Sequence, residues 1–331
     1  MDQITVSFPG LGINDFQLNK IAFTLFGKFE VRWYGLIITT GIILAVLYCA
    51  YRSAEVGITK DDLLDMALYT VIFGVLGARL YYVLMTLNVY PYDSILDVIA
   101  IWEGGLAIYG GIIGGSLAIY IFCRIKKINP LCALDMAAPA VMIGQFMGRW
   151  GNFFNGEAYG YEVVEGSPLY FLRMGLIPNV NSSVRMDYFH PTFLYESVWN
   201  IIGFILINAL FRKRKFNGQV ALMYFAWYGF GRMWIEGLRT DSLYLGVFRV
   251  SQVVGFLCFM LCGILLTVGL VYARRREQAG ESYESCYAKC TGKLTILKKD
   301  EANTMVASEN TVSEQKNETT TEGENENGTE N

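Results

Sequence analysis

The sequence predicts an all-α polytopic membrane protein with seven transmembrane helices, its N-terminus outside and its C-terminus cytoplasmic. Two observations carry that reading: long apolar stretches without a charge, and basic residues concentrated in alternate connections. Of the 331 residues 53% are hydrophobic, and the apolar ones fall in blocks rather than singly. Residues 33–51 (WYGLIITTGIILAVLYCAY), 104–123 (GGLAIYGGIIGGSLAIYIFC) and 250–273 (VSQVVGFLCFMLCGILLTVGLVYA) contain no charged residue. A hydrocarbon core of ~30 Å needs roughly 20 helical residues, so each block is long enough to cross it. Backbone amides in hydrocarbon must be bonded within their own segment, which makes the blocks helices. Four further spans are shorter or carry a lone arginine, near residues 66–86 (Arg79), 134–153 (Arg149), 193–211 and 218–238 (Arg232).

Lysine and arginine set the orientation, because they stay on the cytoplasmic side. With the N-terminus outside, the inner connections hold Arg52 and Lys60, RIKK (124–127), RKRK (212–215) and RRR (274–276). The outer connections hold none in 87–103, Arg173 and Arg185 in 154–190, and Arg239 and Arg249 in 239–249. Residues 1–30 have no basic start followed by an apolar run, and so do not look like a cleaved signal peptide. They are expected to form an outer-face arm at the interface. Residues 31–276 are expected to form the seven-helix transmembrane domain, with an outer segment at 154–190. Residues 277–331 end in SEQKNETTTEGENENGTEN, a polar acidic stretch without aromatics. Such a stretch cannot offset its ordering entropy by burial, so a disordered cytoplasmic tail is expected. The seven cysteines suggest no disulfide framework. Cys286 and Cys290 lie on the reducing side, and they lack the second ligand pair of a zinc site.

Four motifs carry polar chemistry into these apolar spans. In AIYGGIIGG (107–115) the pairs Gly110–Gly114 and Gly111–Gly115 permit close helix packing. Tyr109 stands among them, with Glu103 at the helix's outer end, and packing or a role for Tyr109 are both open. GRWGNFFNGE (148–157) places Arg149, Asn152 and Gly156 on one helical face. A charge at the bilayer centre costs ~2.5–3.5 kcal/mol even on the lenient insertion scale. A snorkelling arginine explains one cation at a helix end, but not Asn152, Asn155 and Glu157 clustered with it. HPTFLYES (190–197) holds the only histidine, His190, at a helix entry and sends Glu196 into the apolar segment. That histidine suits a structural role as well as a catalytic one. YGFGRMWIEGLRTDSL (228–243) spaces Arg232 and Glu236 four apart, so they can pair along one face, with Arg239 one turn further. The helices bearing Arg149 and Arg232 run in the same direction, so both reach the outer half of the membrane. Two guanidiniums at one depth match the oxygens of a phosphodiester, and lipid is the abundant phosphate there.

Taken in order, FTLFGKFEVRWYGL, WEGGLAIYGGIIGG, GRWGNFFNGEAYG, HPTFLYE and YGFGRMWIEGLRTDSL resemble the prolipoprotein diacylglyceryl transferase family, over most of residues 5–275. The resemblance implies a transferase that moves diacylglyceryl from phosphatidylglycerol to the lipobox cysteine of a prolipoprotein, the first step of bacterial lipoprotein maturation. A thioether forms and glycerol 1-phosphate leaves. It implies phospholipid binding by Arg149, a second essential arginine at Arg232, and a tyrosine of the WYG motif at Tyr34. Asn152, Glu157, Gly160 and Glu236 fall on further family positions. The expected partners are membrane lipid and the prolipoprotein signal peptide, with no cofactor, metal or nucleic acid, in a bacterial plasma membrane. One departure is expected to matter. Many members carry a histidine, proposed as the base, where this chain has Tyr109. Tyrosine's reference pKa lies ~3.5 units above histidine's, so equal basicity would need ~5 kcal/mol of perturbation. The expectation is that Arg232 and Arg149 bind the phosphate and stabilise the leaving charge. Tyr109 then orients substrate, and Glu157 or Glu236 holds an arginine.

A secondary transporter of an anionic solute is the competing reading, since intramembrane arginines and glycine-broken helices occur there too. Against it, the two arginine motifs lie on helices of the same direction and show no inverted repeat.

Overall fold

A computed structural model describes residues 3–27, 29–90, 92, 94–177, 187–240, 242 and 244–279. It is mostly helical. The long helices are α1 (Trp33–Arg52), α2 (Lys60–Thr86), α4 (Ile108–Ile125), α5 (Pro130–Asn155), α6 (Thr192–Phe211), α7 (Gln219–Ile235) and α8 (Val250–Gln278), with a short α3 (Ile95–Ile99) between α2 and α4. Each of the seven predicted spans has its helix. Six are long and apolar enough to cross a membrane. The exception is α7, with 17 residues, followed by the 3-10 turn Glu236–Leu238. Outward faces carry exposed Leu47, Leu80, Ile113, Ile205 and Leu261, the surface expected of helices solvated by lipid.

The helices associate through glycine rather than through a water-driven core. A Cβ on Gly110 would come within 2.2 Å of the Gly77 carbonyl oxygen, and one on Gly114 within 2.3 Å of that of Phe73. The packing reading of AIYGGIIGG is therefore what α2 and α4 use. On the other side, a Cβ on Gly229 would lie 2.5 Å from the Gly255 carbonyl oxygen, which brings α7 and α8 equally close. Between α6 and α7 two tryptophans are exchanged. The rings of Trp199 and Trp227 stack at 4.1 Å. Trp199 Nε1 donates to the Trp227 carbonyl at 3.2 Å, and Trp227 Nε1 to the Trp199 carbonyl at 3.1 Å. Gly203 and Gly231 leave the room each indole occupies. The start of α7 is fixed against α5 by Asp135, which is fully buried. Its carboxylate accepts from the amides of Gly218 (2.8 Å) and Ala221 (2.9 Å), an anion set on helix N-terminal donors.

The basic helix ends meet at one face of the bundle. Arg52 and Arg212 share Glu55, at 2.8 and 2.7 Å. Lys126 pairs with Asp62, and Lys215 with Glu277. Above that end lies the main apolar core, with Cys49, Met66, Phe122, Met136, Met142, Ile207 and Phe211 among its members.

The opposite end departs from the all-α expectation. β1 (Gln3–Phe8) and β2 (Ile13–Asn19) pair antiparallel, β3 (Ile21–Leu25) and β4 (Phe29–Arg32) form a hairpin, and β5 (Met174–Ile177) and β6 (Asp187–Phe189) come from the outer segment. The strand order β2-β1-β5-β6 joins the arm and the outer segment in one sheet; the short strands β7 (Tyr244–Leu245) and β8 (Phe248–Arg249) pair before α8. The arm is thus folded into strands. Ile4, Val6 and Phe8 alternate along β1, the period of a strand with one buried face. They pack with Phe153 of α5, Phe193 of α6 and Leu176. This small core clamps the end of α5 to the start of α6. The tail from residue 280 onward, with Cys286 and Cys290, and residues 178–186 of the outer segment, with Arg185, lie outside the described residues.

Candidate active site

At the clamped end, α5, α6 and α7 with the turn that follows it bring charged side chains into one cluster. Glu196 sits on the first turns of α6, which begins right after His190-Pro191. Its carboxylate meets Arg149 Nε at 3.3 Å, Arg232 Nη1 at 3.4 Å and Arg239 Nη1 at 3.1 Å. Arg232 also reaches Glu236 through Nη2 at 2.7 Å, the i,i+4 pair expected along α7. The Glu236 side chain is 2% exposed and that of Glu196 12%, against 25% for Arg149 and 19% for Arg232. Both arginines named from sequence therefore touch one shared anion. Glu196 thus draws three guanidiniums to one carboxylate, and Glu236 braces one of them from the other side.

The second-named motif residues flank this cluster. Gly156 ends α5 in a left-handed conformation (φ +66°), turning the chain so that Glu157 folds back. Glu157 Oε1 accepts from Asn152 Nδ2 (2.9 Å) and Asn155 Nδ2 (3.1 Å). Glu157 thus holds asparagines rather than an arginine, because α5 has ended before its side chain could reach the cluster; Glu236 is the carboxylate that holds Arg232. Tyr34, on the first turn of α1, lays its ring on Gly151, where a Cβ would stand 2.9 Å from Tyr34 Cδ2. That glycine lies between Arg149 and Asn152. Tyr109 begins α4, half-exposed, with its ring 6.3 Å from that of Tyr81. His190 donates to or accepts from Tyr195 Oη at 3.2 Å, and burial pushes its imidazole below the ordinary value of 6.5. Its backbone receives Gly160, whose amide donates to the His190 carbonyl at 2.9 Å. A Cβ on Gly160 would come within 2.7 Å of His190 Cβ, so this position closes the outer segment over α6. Among the described residues no three His, Cys, Asp or Glu side chains gather as metal ligands would.

Sequence reasoning named Arg149, Arg232 and Glu236 together, but it placed Glu196 only as a carboxylate facing the apolar segment. Its hub position depends on three helices meeting. The available signal was an acid four residues into an apolar helix, which calls for a cation.

The fold and this cluster define a multi-pass membrane protein with three arginines converging on one carboxylate at one end of its bundle. Residues 20–268 match the family described as prolipoprotein diacylglyceryl transferase, and the chain belongs to that family. Among curated relatives, a phosphatidylglycerol--prolipoprotein diacylglyceryl transferase of Streptococcus pneumoniae serotype 4 is 46% identical over 262 residues, 78% of this chain and 96% of the relative. Enzymes of the same name from Streptococcus suis and Streptococcus equi subsp. zooepidemicus are 43% and 42% identical, over 81% and 80% of this chain and 96% and 98% of theirs.

Proposed function

We propose that this chain transfers the diacylglyceryl group of phosphatidylglycerol to the thiol of a prolipoprotein's lipobox cysteine, in the plasma membrane of a bacterium. The observation that carries the reading is the convergence of Arg149, Arg232 and Arg239 on Glu196, in a chain whose relatives bear that activity in their names. α7 is the seventh span, its last turn completed by Glu236–Leu238, and the face with Arg52, Lys126, Arg212 and Lys215 is cytoplasmic. The arginine cluster then lies in the outer leaflet, with the sheet above it outside.

In this reading the headgroup phosphate docks against the guanidiniums gathered at Glu196. Arg149 and Arg232 hold it, and Glu236 fixes the Arg232 fork. Asn152 and Glu157 line the lipid side, and Tyr34 orients that wall through Gly151. The cysteine arrives as thiolate, a fraction that nearby guanidiniums raise. Sulfur forms a bond to the glycerol carbon as the carbon–oxygen bond to phosphate breaks, and the electron pair leaves on glycerol 1-phosphate. The charge growing on that phosphate meets guanidiniums already in place, which favours the transition state over the ground state. Tyr109 directs the substrate by hydrogen bonding. Reconstitution of the chain with labelled phosphatidylglycerol and a lipobox peptide tests the reading. Label on the peptide thiol supports it; flux of an anionic solute without thioether favours a transporter instead.

A further inference from the structure

A third intramembrane arginine is absent from this scheme. Arg79 lies on α2 and is 8% exposed, yet among the described residues it pairs with no carboxylate. Its guanidinium turns instead to the backbone of α3 and of the segment that joins it to α4. Nε donates to the Val98 carbonyl at 2.8 Å and Nη2 to that of Asp97 at 2.5 Å. Nη1 donates to the carbonyls of Gly104 at 2.8 Å and Gly105 at 3.3 Å. The Tyr82 ring covers the guanidinium, 5.7 Å from its carbon. A cation buried this deeply is tolerated only when hydrogen-bonded, and here four backbone carbonyls supply the acceptors.

That segment leads directly to Tyr109. Gly104 and Gly105 take φ of +91° and +69°, a conformation that side chains resist. A Cβ on Gly105 would lie 2.5 Å from Tyr82 Cε1 and 2.7 Å from Arg79 Nη1. Two residues on, the Ala107 amide donates to the Ala78 carbonyl at 3.1 Å, so the residue beside Arg79 fixes the entry to α4 as well. Tyr109 follows within the first turn of that helix.

We propose that Arg79 is a positioning residue for the transfer reaction: it latches the Asp97–Gly105 backbone to α2 and so sets where Tyr109 stands. The inference rests on the proposed transfer activity. Lysine keeps the charge but gathers its donors on one nitrogen, so it cannot span four carbonyls in two directions. A displacement of about 1 Å costs up to roughly a hundredfold in rate. The test is a double-mutant cycle on the full-length chain in phosphatidylglycerol proteoliposomes, with Arg79→Lys, Tyr109→Phe and the pair. Expected is a loss of about tenfold in kcat for Arg79→Lys, and a double variant no slower than Tyr109→Phe. Losses that multiply, as a general weakening of the fold produces, overturn the inference, as does a wild-type rate for Arg79→Lys. Gly105→Ala strains the same latch from the loop side and replaces Arg79→Lys in the cycle if that variant fails to fold. If the wild-type chain makes no thioether, the transfer reading itself falls; active wild type with a multiplicative cycle removes only the latch.

Discussion

Arg149 meets Glu196 through Nε, the side edge of its guanidinium, and lysine has no atom there. Arg149→Lys therefore keeps the charge and loses the geometry that holds the remaining fork in place. A loss of about a hundredfold in kcat/KM is expected; turnover near wild type in the lipobox-peptide assay would remove the clamp. Glu196 makes a complementary case. Glu196→Gln preserves shape but removes one negative charge from among the three guanidiniums. Anionic lipid should bind at least as tightly, while three guanidiniums lose the point on which they converge. The expected split is an unchanged or lower KM for phosphatidylglycerol with kcat down roughly tenfold or more. A raised KM with normal kcat would show that Glu196 only aids binding. Neither role could be assigned from one dimension. Glu196 and Arg149 are 47 positions apart, and only folding reveals that they meet.

At the scale of elements, what brings Glu196 to Arg232 is the exchanged tryptophan pair one turn inward. Trp199 follows Glu196 on α6, and Trp227 and Gly231 precede Arg232 on α7. A Cβ on Gly231 would stand 2.2 Å from Trp199 Nε1, so Gly231→Ala must push the indole away and break a reciprocal hydrogen bond. Overpacking of this kind costs about 1–3 kcal/mol. A lower melting temperature in detergent, together with reduced transfer, is expected; full activity would show that the register of α6 on α7 tolerates slippage. The helices themselves were legible, because charge-free length is a local property. The expected block 33–51 became Trp33–Arg52, and 193–211 became Thr192–Phe211. The small-residue spacing of AIYGGIIGG likewise announced its contact, although only the fold names Gly77 as the partner. The strands were missed for the opposite reason. QITVSF alternates apolar and polar residues, but it is six residues long and its neighbour β5 lies some 170 residues away.

The whole molecule is a helical bundle capped at the site end by a sheet that draws on both the N-terminus and the α5–α6 connection. β1 lies between β2 and β5, and the Ile4 side chain fills the space beside Gly156, where a Cβ would come within 3.0 Å of Ile4 Cδ1. The cap therefore sets the turn that ends α5, three residues after the Asn152–Phe153 pair and directly before Glu157. Removing residues 1–12 deletes Ile4, Val6 and Phe8, each a buried apolar side chain worth about 1.5–3 kcal/mol. The cost is local to the α5–α6 junction, so Arg149 and Glu196 lose their alignment even where the bundle persists. The C-terminal end gives the opposite expectation. Every residue assigned to the cluster lies between Tyr34 and Arg239, and the family match ends at residue 268. A chain stopped after Ala279 keeps all of α8. It should transfer diacylglycerol at the full-length rate, while deletion of residues 1–12 should nearly abolish transfer in the same proteoliposomes. Loss of activity on removing the acidic tail would mean that this segment takes part in the reaction or in substrate delivery. Normal activity without β1 would mean that the helices alone align the arginines with Glu196.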